Sequence, residues 1–332
     1  MQPSAIWLSE EDVTSLVSLK DAIGVLETGV RALGAGEGFN IPKALGAYGG
    51  ASSMHSLGSA LPEAGFCGYK NWINTPRGAK AVYVLFDAAE GRLLSIMEAN
   101  ALGQMRTSAM TGLGTKWLAR DGANDMAIIG TGRQALAQVA AVHAVLALSR
   151  IRVWSPTAEN RHAFVQTLSD QFDTEVEEAE SLAAACDGAS IVTTVTRARE
   201  PFLDASLLGR GTHLNAVGAI LPHSAEFHQD VFERVGFISV DDVAGTRQAS
   251  REFIDYFEKG AGKGDWSRVR PLGEIIAKGE GPAADCDLTL FKSMGMGISD
   301  LSVAVLAYQR AKDAQVGKDI SLTAKAPIRL TS

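Results

Sequence analysis

Asp125-Met126-Ala127-Ile128-Ile129-Gly130-Thr131-Gly132-Arg133-Gln134-Ala135 is the stretch whose reading decides the fold. A short apolar run enters a G-x-G-x-x-A turn, a helical pattern follows over residues 134–148, and a second strand-like run at 151–154 closes the unit. Gly130 permits a tight strand-to-helix turn, Gly132 lets a pyrophosphate approach the backbone, and Ala135 is small enough for close helix–strand packing. The unpaired N–H groups of the helix start then face the anion. Glycines alone are weak evidence, but strand, turn, helix and second strand in that order are the context a dinucleotide site requires. Gly130, Thr131, Gly132, Arg133 and Gln134 are the expected cofactor contacts.

After such a second strand, NAD sites usually place an acid on the ribose hydroxyls. Here the chain reads Val153-Trp154-Ser155-Pro156-Thr157, with no acid to repel a 2′-phosphate. Ser155 and Thr157 can donate hydrogen bonds, and Arg133, Arg152 or Arg161 can supply positive charge. The expected cofactor is NADP(H) rather than NAD(H).

Working outward, strand-like runs at 191–195, 213–217 and 237–240 alternate with helical segments, as in a parallel, doubly wound sheet. The first third differs. Ser9-Glu10-Glu11-Asp12 opens a helix, residues 19–33 form another, and turn-bounded segments at 44–48, 66–72, 81–86 and 92–98 suggest a mixed sheet flanked by helices. Residues 299–311 read as a long amphipathic helix, and 317–332 show no periodicity. With 332 residues, 46% apolar and 21% charged, the chain suits an α/β protein of two folding units. A net charge of −7 without a Lys/Arg stripe argues against nucleic acid. Cys67, Cys186 and Cys286 lie far apart, no basic-then-apolar segment opens the chain, and no apolar run suggests a membrane span; a cytoplasmic protein is expected.

Several further stretches carry a resemblance. Gly68-Tyr69-Lys70, Val84-Leu85-Phe86-Asp87 followed by Gly91, Met105-Arg106-Thr107-Ser108-Ala109 and the cofactor loop come first. Thr193-Thr194-Val195-Thr196, the run Gly211-Thr212-His213-Leu214-Asn215-Ala216-Val217-Gly218, and Thr289-Leu290-Phe291-Lys292-Ser293-Met294-Gly295-Met296 follow. In order and spacing the chain resembles the ornithine cyclodeaminase/μ-crystallin family over nearly its whole length. The resemblance implies a Rossmann domain (residues 119–299) inserted in a mixed-sheet α+β domain (1–118 plus 300–332) that binds substrate and forms a homodimer. It also implies hydride transfer between a nicotinamide and a carbon that is, or becomes, an imine beside a carboxylate.

By the same resemblance, Lys70 and Arg106 hold the substrate carboxylate, and Lys43 after Pro42 stands where the family often has an Arg. Lys70 lies among Phe66, Cys67, Tyr69 and Trp72, where desolvation would lower its pKa and suit it to proton transfer. His55 falls at a pocket-lining turn and could orient or protonate substrate. Thr194, Val217 and Ser293 are further expected cofactor contacts, Ser293 near the nicotinamide. Asp300 reads as a helix-capping residue, and Glu226 with Asp230 as a solvated helix face. His223 and His228 have no Cys/His cluster around them, so no metal site is read.

The main departure follows Gly218. Cyclodeaminases and the alanine dehydrogenase branch usually carry an Asp two residues on, whereas this chain has Ile220. Isoleucine cannot deprotonate an amine or activate water, yet reduction of a preformed imine needs neither. The μ-crystallin branch also lacks that Asp. The expectation is an NADPH-preferring imine or ketimine reductase for small, cyclic α-imino acids. The alternatives are an ornithine cyclodeaminase or amino-acid dehydrogenase, and a non-catalytic NADP-binding protein.

Overall fold

The computed structural model describes residues 4–322 and 327–330. Two sheets organise the chain. Strands β1 (Ser4–Leu8), β2 (Phe39–Tyr48), β3 (Ser52–Leu61), β4 (Phe66–Thr75), β5 (Gly78–Asp87) and β6 (Leu93–Glu98) build the first. The second contains β7 (Asp125–Ile129), β8 (Arg150–Trp154), β9 (Glu175–Glu178), β10 (Ile191–Thr194), β11 (Thr212–Ala216), β12 (Val235–Val240), β13 (Val269–Pro271) and β14 (Leu288–Lys292). A last strand, β15 (Lys318–Ser321), returns to the first sheet and pairs antiparallel with β1. That corrects the reading of 317–332 as patternless; residues 323–326 and 331–332 lie outside the described residues.

The first sheet runs β15-β1-β6-β5-β4-β3-β2 and is mixed, because β1 pairs parallel with β6 while β2 to β6 form a meander. The second runs β13-β12-β14-β11-β10-β7-β8-β9 and every pairing in it is parallel. Alternation along β7 shows why both of its faces are covered. Met126 and Ile128 enter one apolar cluster with Val139 and Ile151; Ala127 and Ile129 enter the other with Val192 and Leu214. This is the doubly wound α/β arrangement, with the direction of winding reversing between β7 and β10.

A third cluster packs the helices Leu19–Gly34, Asn100–Leu118 and Gly297–Ala314 against the mixed sheet. The helix Asn100–Leu118 carries the Met105-Arg106-Thr107 segment in its first half. Its N-cap, Ala99, has only a methyl group and cannot accept a hydrogen bond, and Glu10 substitutes by accepting from the Asn100 and Ala101 N–H groups at 2.7 Å each. Buried residues ring this helix from Ser108 to Thr115, consistent with its place between the two sheets. Among the described residues no helix is long and apolar enough to cross a membrane.

Candidate active site

The C-terminal ends of β7, β8, β10, β11 and β14 face the mixed sheet across a cleft of about 1030 Å³. Its dinucleotide end is built by the glycine turn. Gly130 has φ +111°, and a Cβ there would stand 2.8 Å from the Val195 carbonyl oxygen, so only glycine fits. Around Gly132 a Cβ would meet nothing within 4 Å, which leaves its backbone open to the cleft. The helix Ala135–His143 has no side-chain cap; its Ala135 N–H turns back to the Gly132 carbonyl at 2.9 Å, and no side chain covers the helix start against an anion. These features fit a dinucleotide pyrophosphate.

Thr131, Arg133, Gln134, Ser155, Thr157, Val217 and Ser293 also line the cleft. Ser155 is nearly buried, receives a hydrogen bond from the Thr131 hydroxyl at 3.3 Å and donates to the Thr157 carbonyl. Of the three arginines considered for a 2′-phosphate, Arg152 is turned away, paired with Asp125 and donating to the Asp187 carbonyl. Arg161 is bound to Glu178 and to the Ser155 carbonyl. Arg133 alone of the three lines the cleft.

Thr194 does not line the cleft. It is fully buried and donates to Glu226 at 3.0 Å, so the next residues, Val195 and Thr196, present the wall in its place. Glu226 itself is not a solvated helix residue. It has no exposure and accepts five hydrogen bonds, from the Thr194 and Thr196 hydroxyls and the Thr196, Gly218 and Ala219 N–H groups. The loops after β10 and β11 therefore hang from one carboxylate. Its own N–H donates to Glu252, which also pairs with the buried Lys292 at 3.4 Å. Asp241 holds the next loop by accepting from the Ser293 hydroxyl and the Met294 and Gly295 N–H groups, each at 2.8 Å; burial raises its pKa.

The opposite end of the cleft is cationic. Lys70 on β4 is 4% exposed, and its ammonium lies 2.6 Å from Asp300 Oδ1; Arg106 Nε is 3.3 Å from the same oxygen. Asp300 does not cap its helix, whose N-cap is Met296 with no side-chain bond. It points instead at the cations. Burial first, then the nearby Arg106, lowers the Lys70 pKa to about 8. Lys43 reaches the same cleft from an irregularity in β2, where the register against β3 shifts between Ile41 and Ala44 around Pro42. Its pKa is lowered by burial and by Arg106. The Lys70 and Lys43 ammonium groups sit 5.0 and 5.6 Å from the Trp72 ring centroid.

His55 is not on the cleft wall. Its ring stacks on Trp72 at 4.5 Å, because the two residues are register partners on β3 and β4, and it lines a neighbouring groove. Its Nε2 is engaged with the Ser53 hydroxyl at 2.8 Å, and burial, then Lys43, lowers its pKa. Ile220 does line the cleft and places hydrocarbon on its wall. Gly295 joins the two ends. It has φ +86°, and a Cβ there would stand 2.8 Å from an Arg106 guanidinium nitrogen.

The chain is similar to several known proteins. Mouse ketimine reductase mu-crystallin is 33% identical over 230 residues, 69% of each chain. A solved Thermococcus litoralis Delta(1)-pyrroline-2-carboxylate reductase, in complex with NADH and L-proline, superposes with a TM-score of 0.88 at 27% identity, covering 95% of this chain and all of that one. An archaeal alanine dehydrogenase dimer with bound NAD also gives 0.88, at 25% identity over 96% of this chain and all of that one. The ornithine cyclodeaminase/mu-crystallin family profile matches residues 5–315, and the chain belongs to that family.

Proposed function

We propose that this protein is an oxidoreductase of C=N bonds, an imine or ketimine reductase that prefers NADPH and acts on small cyclic α-imino acids. One observation carries the reading: a cluster of Lys70, Arg106 and Lys43 faces the same cleft as the Gly130 turn, and Ile220, where cyclodeaminases carry an Asp, lines that cleft too. Arg106, Lys70 and Lys43 hold the substrate carboxylate, Arg106 offering a guanidinium fork. Gly130, Gly132 and the residues around Ser155 would hold a reduced nicotinamide nucleotide, which would supply the hydride that the imine carbon takes up. As the C=N electrons settle on nitrogen, the Lys70 ammonium gives that nitrogen a proton. A Lys pKa near 8 suits the task, since the acid is charged at neutral pH and gives up its proton readily.

Arg133 in the cleft and the lack of an acid at Ser155 support NADPH over NADH. In this reading residues 119–299 carry the nucleotide, and 1–118 with 300–332 bind substrate and dimerise. The outer face of β2, β3 and β4 supports the homodimer, because Phe39, Ile41, Met54, Tyr69 and Ile73 are exposed there.

The deciding experiment follows oxidation of NADPH and NADH with a panel of cyclic α-imino acids, iminosuccinate and oxo acids with amines. Imine-dependent oxidation, faster with NADPH, is expected. Proline formed from ornithine with catalytic NAD and no reductant would overturn the reaction, and equal or faster rates with NADH would overturn the cofactor preference.

A further inference from the structure

Among the described residues, one acid touches the cation cluster. Asp300 lies near the start of helix Gly297–Ala314, is fully buried, and offers Oδ1 to both Lys70 and Arg106. Its other oxygen has no hydrogen-bond partner among the described residues. The remaining groups around Lys70 oppose its charge or do nothing for it. Arg106 faces it from helix Asn100–Leu118 and Lys43 from β2, both cationic. His55 on β3 lies beyond Trp72, with its pKa pushed down. Tyr83 on β5 is a buried phenol held protonated by burial and by Asp300. A lysine that is 4% exposed and beside two other cations would lose its proton without a fixed counter-charge.

We propose that Asp300 is the positioning residue that keeps Lys70 protonated and aimed into the cleft, and so sets the alkaline edge of the reaction. The inference rests on the reading of Lys70 as proton donor. When Lys70 gives its proton to the substrate nitrogen, the N–H electron pair stays on Nζ as the amine lone pair. Nζ then takes its next proton from solvent, beside the Asp300 carboxylate 2.6 Å away.

The test needs no turnover for its first arm. Protein labelled with [ε-13C]lysine is titrated by NMR, with the Lys70 signal assigned by its absence in K70R. The wild-type signal should titrate near 8, and in D300N the midpoint should fall by about one to three pH units, the usual effect of an opposite charge at this range. The alkaline limb of kcat/KM for imine reduction should move down with it, and D300E should restore part of both. If D300N fails to fold, D300S removes the same charge and carries the same expectation. An unmoved Lys70 midpoint overturns the proposal, even if activity falls. If K70M reduces imines at the wild-type rate, the donor reading fails and takes the alkaline edge with it, while the NMR midpoint still decides whether Asp300 holds the charge.

Discussion

Replacing Glu226 by glutamine tests whether the nucleotide-side loops depend on one carboxylate. Oε2 accepts from the Thr194 hydroxyl and the Gly218 and Ala219 N–H groups, and Oε1 from the Thr196 N–H and hydroxyl. A glutamine has one acceptor oxygen, so its NH2 must face one of these sets. In the milder orientation the Thr196 hydroxyl can rotate to accept, and only the Thr196 N–H is orphaned. In the other, two backbone N–H groups lose their partner. An unsatisfied buried donor costs about 1–3 kcal/mol, and loss of charge assistance adds to it, so E226Q should destabilise by about 2–5 kcal/mol. Residues 195–198 and 217–218 line the cleft, so nucleotide affinity should weaken as well. Urea denaturation reads the first effect and quenching of intrinsic fluorescence by NADPH the second. An E226Q protein within about 0.5 kcal/mol of wild type, the range of a neutral surface change, with unchanged NADPH affinity, would refute the reasoning.

His213 and the outer sheet face offer two more tests. The His213 ring is fully buried between Thr289 and Asn215, and burial lowers its pKa from 6.5 to about 4. The unfolded chain therefore binds a proton there first, so stability is complete above pH 6.5 and falls between 6.5 and 4, by about 3 kcal/mol in total. H213Q should flatten that part of the pH–stability curve, and an identical acid slope in the variant would count against the assignment. The wild type should sediment as a dimer and I73D, which puts a charge on the exposed face of β4, should shift it toward monomer; a monomeric wild type would remove the dimer reading.

The dinucleotide turn was legible because each of its residues answers a local demand. Gly130 needs positive φ and a close carbonyl, and both requirements act within one strand–turn–helix unit. Strand β3 was harder, since Ser52-Ser53-Met54-His55-Ser56 has no β-branched residue and takes its conformation from partners on either side. Strands β1 and β15 are short and pair across almost the whole chain, which no window of sequence can register. Glu226 sits among His223, Ser224, His228 and Asp230 and so reads as solvated, but its burial is decided by loops from β10 and β11. Asp300 shows the same ambiguity, because an acid near a helix start looks alike whether it caps the helix or faces a lysine. Thr194 was missed by one residue, at the point where the strand gives way to the cleft wall.

The contact at Gly295 has a thermodynamic consequence. The backbone that Asp241 fixes on the nucleotide side is the surface on which the Arg106 guanidinium rests. A cofactor that shifts residues 293–295 thus shifts the seat of the arginine, and an acid gripped by Arg106 pushes back on the same segment. By linkage, whatever free energy one ligand lends the other must be returned in equal measure. In the proposed complex, any such coupling would pass through a glycine with no side chain to buffer it.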